Sequence, residues 1–173
     1  ADENDNVEVR RAVATAIDRD EIIEGAMYGQ AVPIGSFYPP HGTAYVDLTG
    51  MSTYDPEKSK TLLAEAGYPD GLDAVMIASD AYGPQYVAQA EWVVEDLKAV
   101  GINVEFELLD YATYFGSRWP DQEYDIQFGP QTPFLEPDEW LRLQMGTGGA
   151  RNWFGVSDPD LDALLAEQLD IVD

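Results

Sequence analysis

"LDAVMIASDAYGPQYVAQAEWVVEDLKAVGINVEFELLD", residues 72–110, holds two strands and the helix between them. "LDAVMIAS" (72–79) is a short apolar run that stops at the polar turn "SDAYGPQ". "YVAQAEWVVEDLKAV" (86–100) puts Val87, Ala90, Val93, Val94 and Leu97 on one helical face, and Gly101 supplies the stop. "INVEFELLD" (102–110) alternates, with Val104, Phe106 and Leu108 turned inward at the two-residue period of a strand. Two strands separated by a helix of that length pair in parallel, since only a crossover connection joins them.

The pattern continues downstream. "YATYFGSRW" (111–119) reads as a short helix and "YDIQFG" (124–129) as a third strand. The order β-α-β-α-β specifies an α/β fold with a parallel or mixed sheet flanked by helices. Ligands of open α/β sheets bind at the loops beyond the carboxyl ends of the strands. Those loops are 79–85, 110–114 and 129–137.

Upstream, "VEVRRAVATAIDRDEIIEGAMYG" (7–29) reads as two short helices or one bent helix. Val9, Val13, Ile17, Ile22, Ile23 and Met27 form its apolar stripe, Asp18 or Asp20 caps the second half, and Gly29 ends it. "QAVPIGSFYPPHGTAYVDLTGMST" (30–53) is too long for a mere connection and either packs down or serves a site. In "YDPEKSKTLLAEAGYPDG" (54–71), Asp55 caps a helix opened by Pro56, Gly67 ends it, and Pro69 with Asp70-Gly71 prevents a restart. The chain closes with a helix around 136–145, the Gly-rich loop "GTGGARN" (146–152) and a helix within "SDPDLDALLAEQLD" (157–170).

Composition limits the function classes. At 173 residues the chain suits one domain or one lobe of something larger, and 45% apolar content with 12% aromatics provides a core. No apolar run approaches the roughly 18 residues of a transmembrane helix. The polar opening "ADENDN" is not a signal peptide, and a processed or excised chain would open the same way. The absence of cysteine removes disulfides and thiolate metal sites and leaves the compartment open.

Charge is the strongest bulk signal: 9 Lys and Arg against 33 Asp and Glu, a formal net charge of -24. Such a surface suits neither nucleic acid nor an anionic membrane, both of which need clustered cations. The acids are spread along the chain, and no Asp-x-Asp-x-Asp-Gly calcium loop occurs. The excess suits high salt: at about 1 M the Debye length is only ~3 Å, so self-repulsion is screened. Halophilic origin is the resulting expectation.

A catalytic centre is hard to assemble. The single histidine, His41, lies in the turn "PPHG", and no G-x-S-x-G, Walker loop or G-x-G-x-x-G is present. "GTGGA" (146–150) lacks a following lysine. Close acid pairs such as Asp158 with Asp160, or Glu136 with Asp138, arise by chance among 33 acids. No enzyme activity is expected, and no cofactor or metal site. A binding module fits better: Tyr82, Tyr111 and Phe134 sit in loops at strand ends, where they either meet a ligand or join the core. Trp140, in a helical pattern with Leu141 and Leu143, is read as core.

"VRRAVATAIDRDEII" (9–23), "YDPEKSKTLLAEAGYPDG" (54–71), "DLKAVGINVEFELLDYATY" (96–114), "YDIQFG" (124–129) and "SDPDLDALL" (157–165) occur in this order along the chain. Their order and spacing resemble the family 5 extracellular solute-binding proteins, the dipeptide- and oligopeptide-type receptors of ABC importers. The resemblance implies a periplasmic-binding-protein-like lobe. Residues 1–173 would be a single domain, the C-terminal lobe of a longer two-lobed clamp. Its partners would be a peptide or other small solute, the N-terminal lobe of the same protein and a membrane permease. The receptor would be a monomer, lipid-anchored at the cell surface, extracellular or periplasmic. The same architecture also serves as the sensory domain of transcriptional regulators.

Peptide-binding relatives place an Asp three residues before an Asp-Pro pair, to hold the peptide's ammonium. Here "GPQTPFLEPDEW" (129–140) has Glu136-Pro137 for that pair and Pro133 at the Asp position. The 79–85 loop also lacks an Arg or Lys for a ligand carboxylate. The ligand-binding residues implied are Asp80, Tyr82, Tyr111, Gln131, Thr132, Phe134, Glu136, Asn152 and Trp153. Glu136 or Asp80 would replace the missing anchor. Gln131, Thr132 and Asn152, with the aromatics, would also suit an oligosaccharide.

Overall fold

Gly71 and Gly101 start the two long strands at one level. Both take positive φ, 91° and 94°, and a Cβ on Gly71 would collide with the Gly101 carbonyl oxygen. That oxygen instead accepts the Leu72 N–H at 3.1 Å. Only glycine allows so close an approach of two chains in that conformation. From there β1 (Leu72–Ser79) and β2 (Ile102–Leu109) pair in parallel, register running from Leu72 with Ile102 to Ser79 with Leu109.

The computed structural model describes residues 6–130, 137–153 and 155–170. These fall in two compact units, residues 1–130 and 131–173. In the first, α1 (Val7–Ala16), α2 (Arg19–Met27) and α3 (Pro56–Glu65) precede β1. Then follow α4 (Pro84–Ala99), β2, and a helical run made of α5 (Tyr111–Thr113), a π-helical turn (Tyr114–Arg118) and α6 (Trp119–Asp121). The run leads to β3 (Ile126–Gln127). The sheet order is β2-β1-β3, all parallel, so β1 is central. The α/β fold read from residues 72–129 is present.

The cap signals act as the sequence implies. Asp18 accepts the Glu21 N–H at 3.0 Å and caps α2, and Asp55 accepts the Lys58 N–H at 2.9 Å and caps α3. Gly67 leaves α3 at φ 99°. At the end of α2, Tyr28 takes the left-handed conformation (φ 55°) together with Gly29. The bend between α1 and α2 is a true break, held by Asp96 of α4, which accepts the Asp18 N–H at 2.9 Å.

Small residues bring the layers close. Ala12 and Ala16 of α1, Ala74, Met76 and Ala78 of β1, and Ala90, Val93 and Leu97 of α4 share one core with Ile22, Ala26, Leu63 and Ile102. Buried Ser59 donates its hydroxyl to the Ala12 carbonyl at 2.8 Å, tying α3 to α1 with a bond worth about 1 kcal/mol. On the other face of β1, Ile77 is buried and the π-helical turn packs against the strand.

Two differences from the sequence reading are instructive. Leu108, placed inward by alternation, is 45% exposed; β2 is an edge strand of the described sheet and its core-facing row ends at Phe106. The third strand is shorter than 124–129, because the Asp125 carboxylate takes the Val75 N–H (2.7 Å) in place of a ladder carbonyl. The Asp125 N–H donates to the Val75 carbonyl at 2.9 Å, so the residue latches β3 without extending it.

The second unit contains α7 (Pro137–Met145) and α8 (Pro159–Glu167). Asp158 caps α8 through the Asp160 and Leu161 N–H groups, and Asp162 accepts the Thr147 N–H at 2.8 Å. Gln168 reaches Asp138 at 2.6 Å, joining the two helices. Trp140 is buried, as its helical pattern implied.

Candidate functional site

Three parallel strands deliver their carboxyl ends to one edge. Ser79 and Leu109 are the last register pair of β1 and β2, so Asp80 and Asp110 leave neighbouring strands at the same height. Neighbouring strands lie about 4.8 Å apart. On the other side of β1, the Phe128 N–H donates to the Ile77 carbonyl at 2.9 Å and keeps the β3 exit beside it. The chain adds β2 on one side of β1 and β3 on the other. That reversal of strand order marks β1 as the switch point, the place at which open α/β sheets bind ligands.

Local sequence shapes each loop. After β1, the Ser79 hydroxyl accepts the Ala81 N–H at 3.3 Å and Asp80–Tyr82 makes one 3-10 turn. Gly83, at φ 92°, turns the chain into α4, and Pro84 fills its first position. After β2, the Asp110 carboxylate accepts three hydrogen bonds: the Ala112 N–H (2.9 Å), the Thr113 N–H (3.1 Å) and the Thr113 hydroxyl (2.6 Å). The Thr113 bonds lead in holding this exposed carboxyl below its ordinary range, so it stays ionised.

Aromatic rings cover the edge. Tyr82 lies 5.6 Å from Tyr86, Tyr111 lies 4.7 Å from Phe115, and Phe115 stacks on Trp119 at 5.0 Å and 28°. Tyr114, fully buried, meets Phe115 and Trp119 edge-on at 4.9 and 5.4 Å. Burial first, then the Tyr111 and Tyr86 phenols, push Tyr82 up from its usual value. This links the β1 loop to the β2 loop. Burial also pushes Tyr114 up to about 12, so both phenols are neutral at physiological pH.

Tyr114 fixes the β3 exit to the π-helical turn. Its hydroxyl donates to the Phe128 carbonyl at 3.2 Å and accepts from the Gln127 amide. A Cβ on Gly129 would come within 2.6 Å of that hydroxyl, so the exit needs glycine for closeness rather than for backbone freedom. Arg118 ends the turn with a two-pronged bond to Glu107 of β2, at 2.8 and 3.1 Å. It also reaches Glu123 at 3.2 Å. Across residues 79–86, 109–119 and 126–130 it is the sole Lys or Arg, and it is neutralised.

Of the residues read as ligand-binding, Asp80, Tyr82 and Tyr111 are brought to this edge. Tyr111 is 57% exposed and the Asp80 carboxylate, also exposed, bonds to nothing among the described residues. Asn152 belongs to the second unit, where its amide donates to the Gly146 and Val156 carbonyls (3.0 and 2.6 Å) and accepts the Val156 N–H (2.9 Å). It braces that loop. Trp153 is half-buried in the same unit. Gln131, Thr132, Pro133, Phe134 and Glu136 lie outside the described residues. Tyr86, Phe115 and Trp119 join the edge without having been singled out. His41 is exposed in its turn.

A cleft of about 650 Å³ opens elsewhere, between the α1–α2 break and the 33–54 segment, lined by Ile17, Arg19, Ile34, Leu48, Met51 and Tyr54. Its wall at Asp18 contacts the last turns of α4, which return from the strands' carboxyl edge, so it does not adjoin that edge. Among the described residues no three His, Asp or Glu side chains are grouped to hold a metal ion. No described helix is long and apolar enough to cross a membrane.

Residues 3–152 match the family described as bacterial extracellular solute-binding proteins, family 5 Middle. Heme-binding protein A of Haemophilus influenzae is 31% identical over 173 residues, covering 95% of this chain and 31% of its own length. The dipeptide-binding protein of Escherichia coli is 29% identical, covering 79% of this chain and 26% of its own. The crystal structure of a dipeptide-binding protein from Pseudoalteromonas sp. SM9913 in complex with Met-Leu superposes with a TM-score of 0.85. It is 30% identical, covering 98% of this chain and 34% of that one. The chain thus spans about a third of the length of the relatives it matches.

Proposed function

Because the chain belongs to the bacterial extracellular solute-binding proteins of family 5, we propose that it is one lobe of an ABC importer's solute receptor. In that reading it is the C-terminal lobe of a two-lobed clamp. It captures a small solute outside the membrane and delivers it to a permease. The family is one of binding proteins, and aromatic loops gathered at one edge of the parallel sheet agree with that role. The observation that carries the reading is the convergence of Asp80, Tyr82 and Tyr111 on the carboxyl edge of the parallel sheet. Loops at that edge are where a second lobe would close over a ligand.

Peptides are the first ligand class, in keeping with the dipeptide-binding relatives. Oligosaccharides are the second, favoured by Pro133 at the ammonium-anchoring position and by the aromatic faces at the edge. We further propose, from the family, a monomeric receptor that is extracellular, lipid-anchored at the cell surface or periplasmic, and, from the net charge of -24, a high-salt organism as its source. Calorimetry on the full two-lobed receptor, against di- to pentapeptides and cello- and xylo-oligosaccharides, tests the function. Saturable heat with peptides is the expected result. Heat with sugars alone would remove the peptide reading, and heat with neither would remove the receptor role for these solutes.

A further inference from the structure

Residues 28–54 form an apolar strip on the surface of an otherwise acidic chain. Of the thirteen large apolar side chains that stand open among the described residues, eight fall in this stretch, including Tyr28, Val32 and Met51 at 78%, 68% and 76% exposure. The same stretch holds one acid, Asp47, and no Lys or Arg, in a chain with 33 acids. Asp47 is itself committed to the Thr49 N–H (3.0 Å) and hydroxyl (2.7 Å). Exposed apolar surface of this kind, when contiguous, marks an interaction site.

The strip is held in shape. A Cβ on Gly35 would collide with the Leu48 and Thr49 backbone, so the two limbs of the loop meet there. Arg19 Nη1 donates to the Ala14 and Ser52 carbonyls at 3.0 and 3.3 Å, and the Asp55 N–H donates to the Thr15 carbonyl at 2.8 Å. These bonds pin the second limb to α1 and to the break after it. Ile34, Leu48, Met51 and Tyr54 of the strip line the cleft of about 650 Å³ at that break. Arg19, also in its lining, is half-buried, and burial pushes its guanidinium down from its ordinary value. No carboxylate among the described residues pairs with it, and its Nε and Nη2 bond to nothing there. The cleft thus combines apolar walls with guanidinium donors to spare.

We propose that the 28–54 strip and its cleft are the permanent seat of the receptor's N-terminal lobe, which places an apolar side chain in the cleft and an acceptor oxygen on Arg19. The inference rests on the solute-receptor reading and adds a fixed contact to the closing one at the strand-end edge. The chain spans about a third of the length of the relatives it matches, so in that reading two-thirds of the receptor lies outside it and is available as cover. An apolar, nearly uncharged face suits a contact that does not separate, whereas a surface that returns to water at each encounter carries more polar groups. A second copy is a poorer occupant, because two chains of charge -24 repel.

The test uses the full-length receptor in molar KCl with no solute added. With p-benzoylphenylalanine in place of Met51, light should cross-link position 51, within one molecule, to a peptide outside residues 1–173. In the unaltered receptor, hydroxyl radicals should oxidise Met51 about tenfold more slowly than free methionine, since oxidation follows exposure. Val32→Asp should lower the receptor's Tm by about 5 °C, because it forces a carboxylate into an apolar contact. A cross-link between two molecules would give the strip to a second copy, and one formed only with added permease would give it to the permease. Either result overturns the inference. So do a cross-link confined to residues 1–173, no cross-link, Met51 oxidised as fast as free methionine, or an unchanged Tm in the Val32→Asp receptor. A receptor that captures a solute in calorimetry yet leaves Met51 open loses only the seat. One that cross-links as expected but captures no peptide or sugar loses only those ligand classes.

Discussion

Tyr114 does at one position what several residues do elsewhere in the unit. Its ring is fully buried, and its hydroxyl joins the π-helical turn to the exit of β3. Replacing Tyr114 by Phe leaves the Phe128 carbonyl and the Gln127 amide short of a partner, so a loss of about 1–3 kcal/mol is expected in urea unfolding. The phenol also sets an alkaline limit. Its folded value, about 12, lies above the ordinary 10, so the folded state keeps a proton that the unfolded chain releases. That contribution is complete below pH 10 and is lost as pH rises toward 12. Tyr114→Phe should therefore flatten the alkaline fall in stability, which a pH series of unfolding curves would register. Tyr82 and Tyr111 were legible in the sequence because strand ends announce their loops. Tyr114, Phe115 and Trp119 were not, because the turn between them is π-helical. The Trp119 N–H bonds to the Tyr114 carbonyl, a five-residue step that a 3.6-residue period does not anticipate.

Among elements, the helices that carry explicit start and stop residues were the most legible. Asp55, Pro56 and Gly67 delimit α3, and β1 runs over the residues 72–79 read as a strand. The third strand resisted reading, because Asp125 substitutes a carboxylate for backbone pairing and no alternation records that. The π-helical turn is also clamped to β2 at its far end. Arg118 grips Glu107 of β2 with two nitrogens, both side chains being mostly buried, while Glu123 is exposed and adds little. Arg118→Lys keeps the charge but cannot reproduce the fork, and should cost about 1–2 kcal/mol in chemical unfolding. The change should also shift the fluorescence of Trp119, the next residue along. An unchanged spectrum and midpoint would show that the clamp is incidental to the turn.

For the molecule as a whole, charge and apolar exposure pull in different directions. A net charge of -24 opposes compaction in dilute buffer and is screened in concentrated salt. The melting temperature should rise from dilute buffer to molar KCl, and a flat response would remove the halophilic reading. Meanwhile Tyr28, Val32, Phe37, Val46, Met51 and Tyr54 expose large apolar surfaces along residues 28–54. The sequence marked that stretch as more than a connection, yet its Pro and Gly content carried no period from which a facing could be read.

The central place of β1 also has a kinetic meaning. Met76 and Ile77 are the positions with register partners on both sides, Phe106 and Glu107 on β2 and Ile126 and Gln127 on β3, and neither side chain is exposed. Successive amides of a strand point to opposite sides: Val75 and Ile77 bond toward β3, through Asp125 and the Phe128 N–H, whereas Met76 turns its amide toward β2. The Met76 amide should therefore exchange with deuterium last, close to the rate of global unfolding. Ile126 and Gln127, held at two positions and by the Asp125 latch, should exchange far earlier. The strand-end edge would then open first on its β3 side, while β1 and β2 stay paired along their whole length.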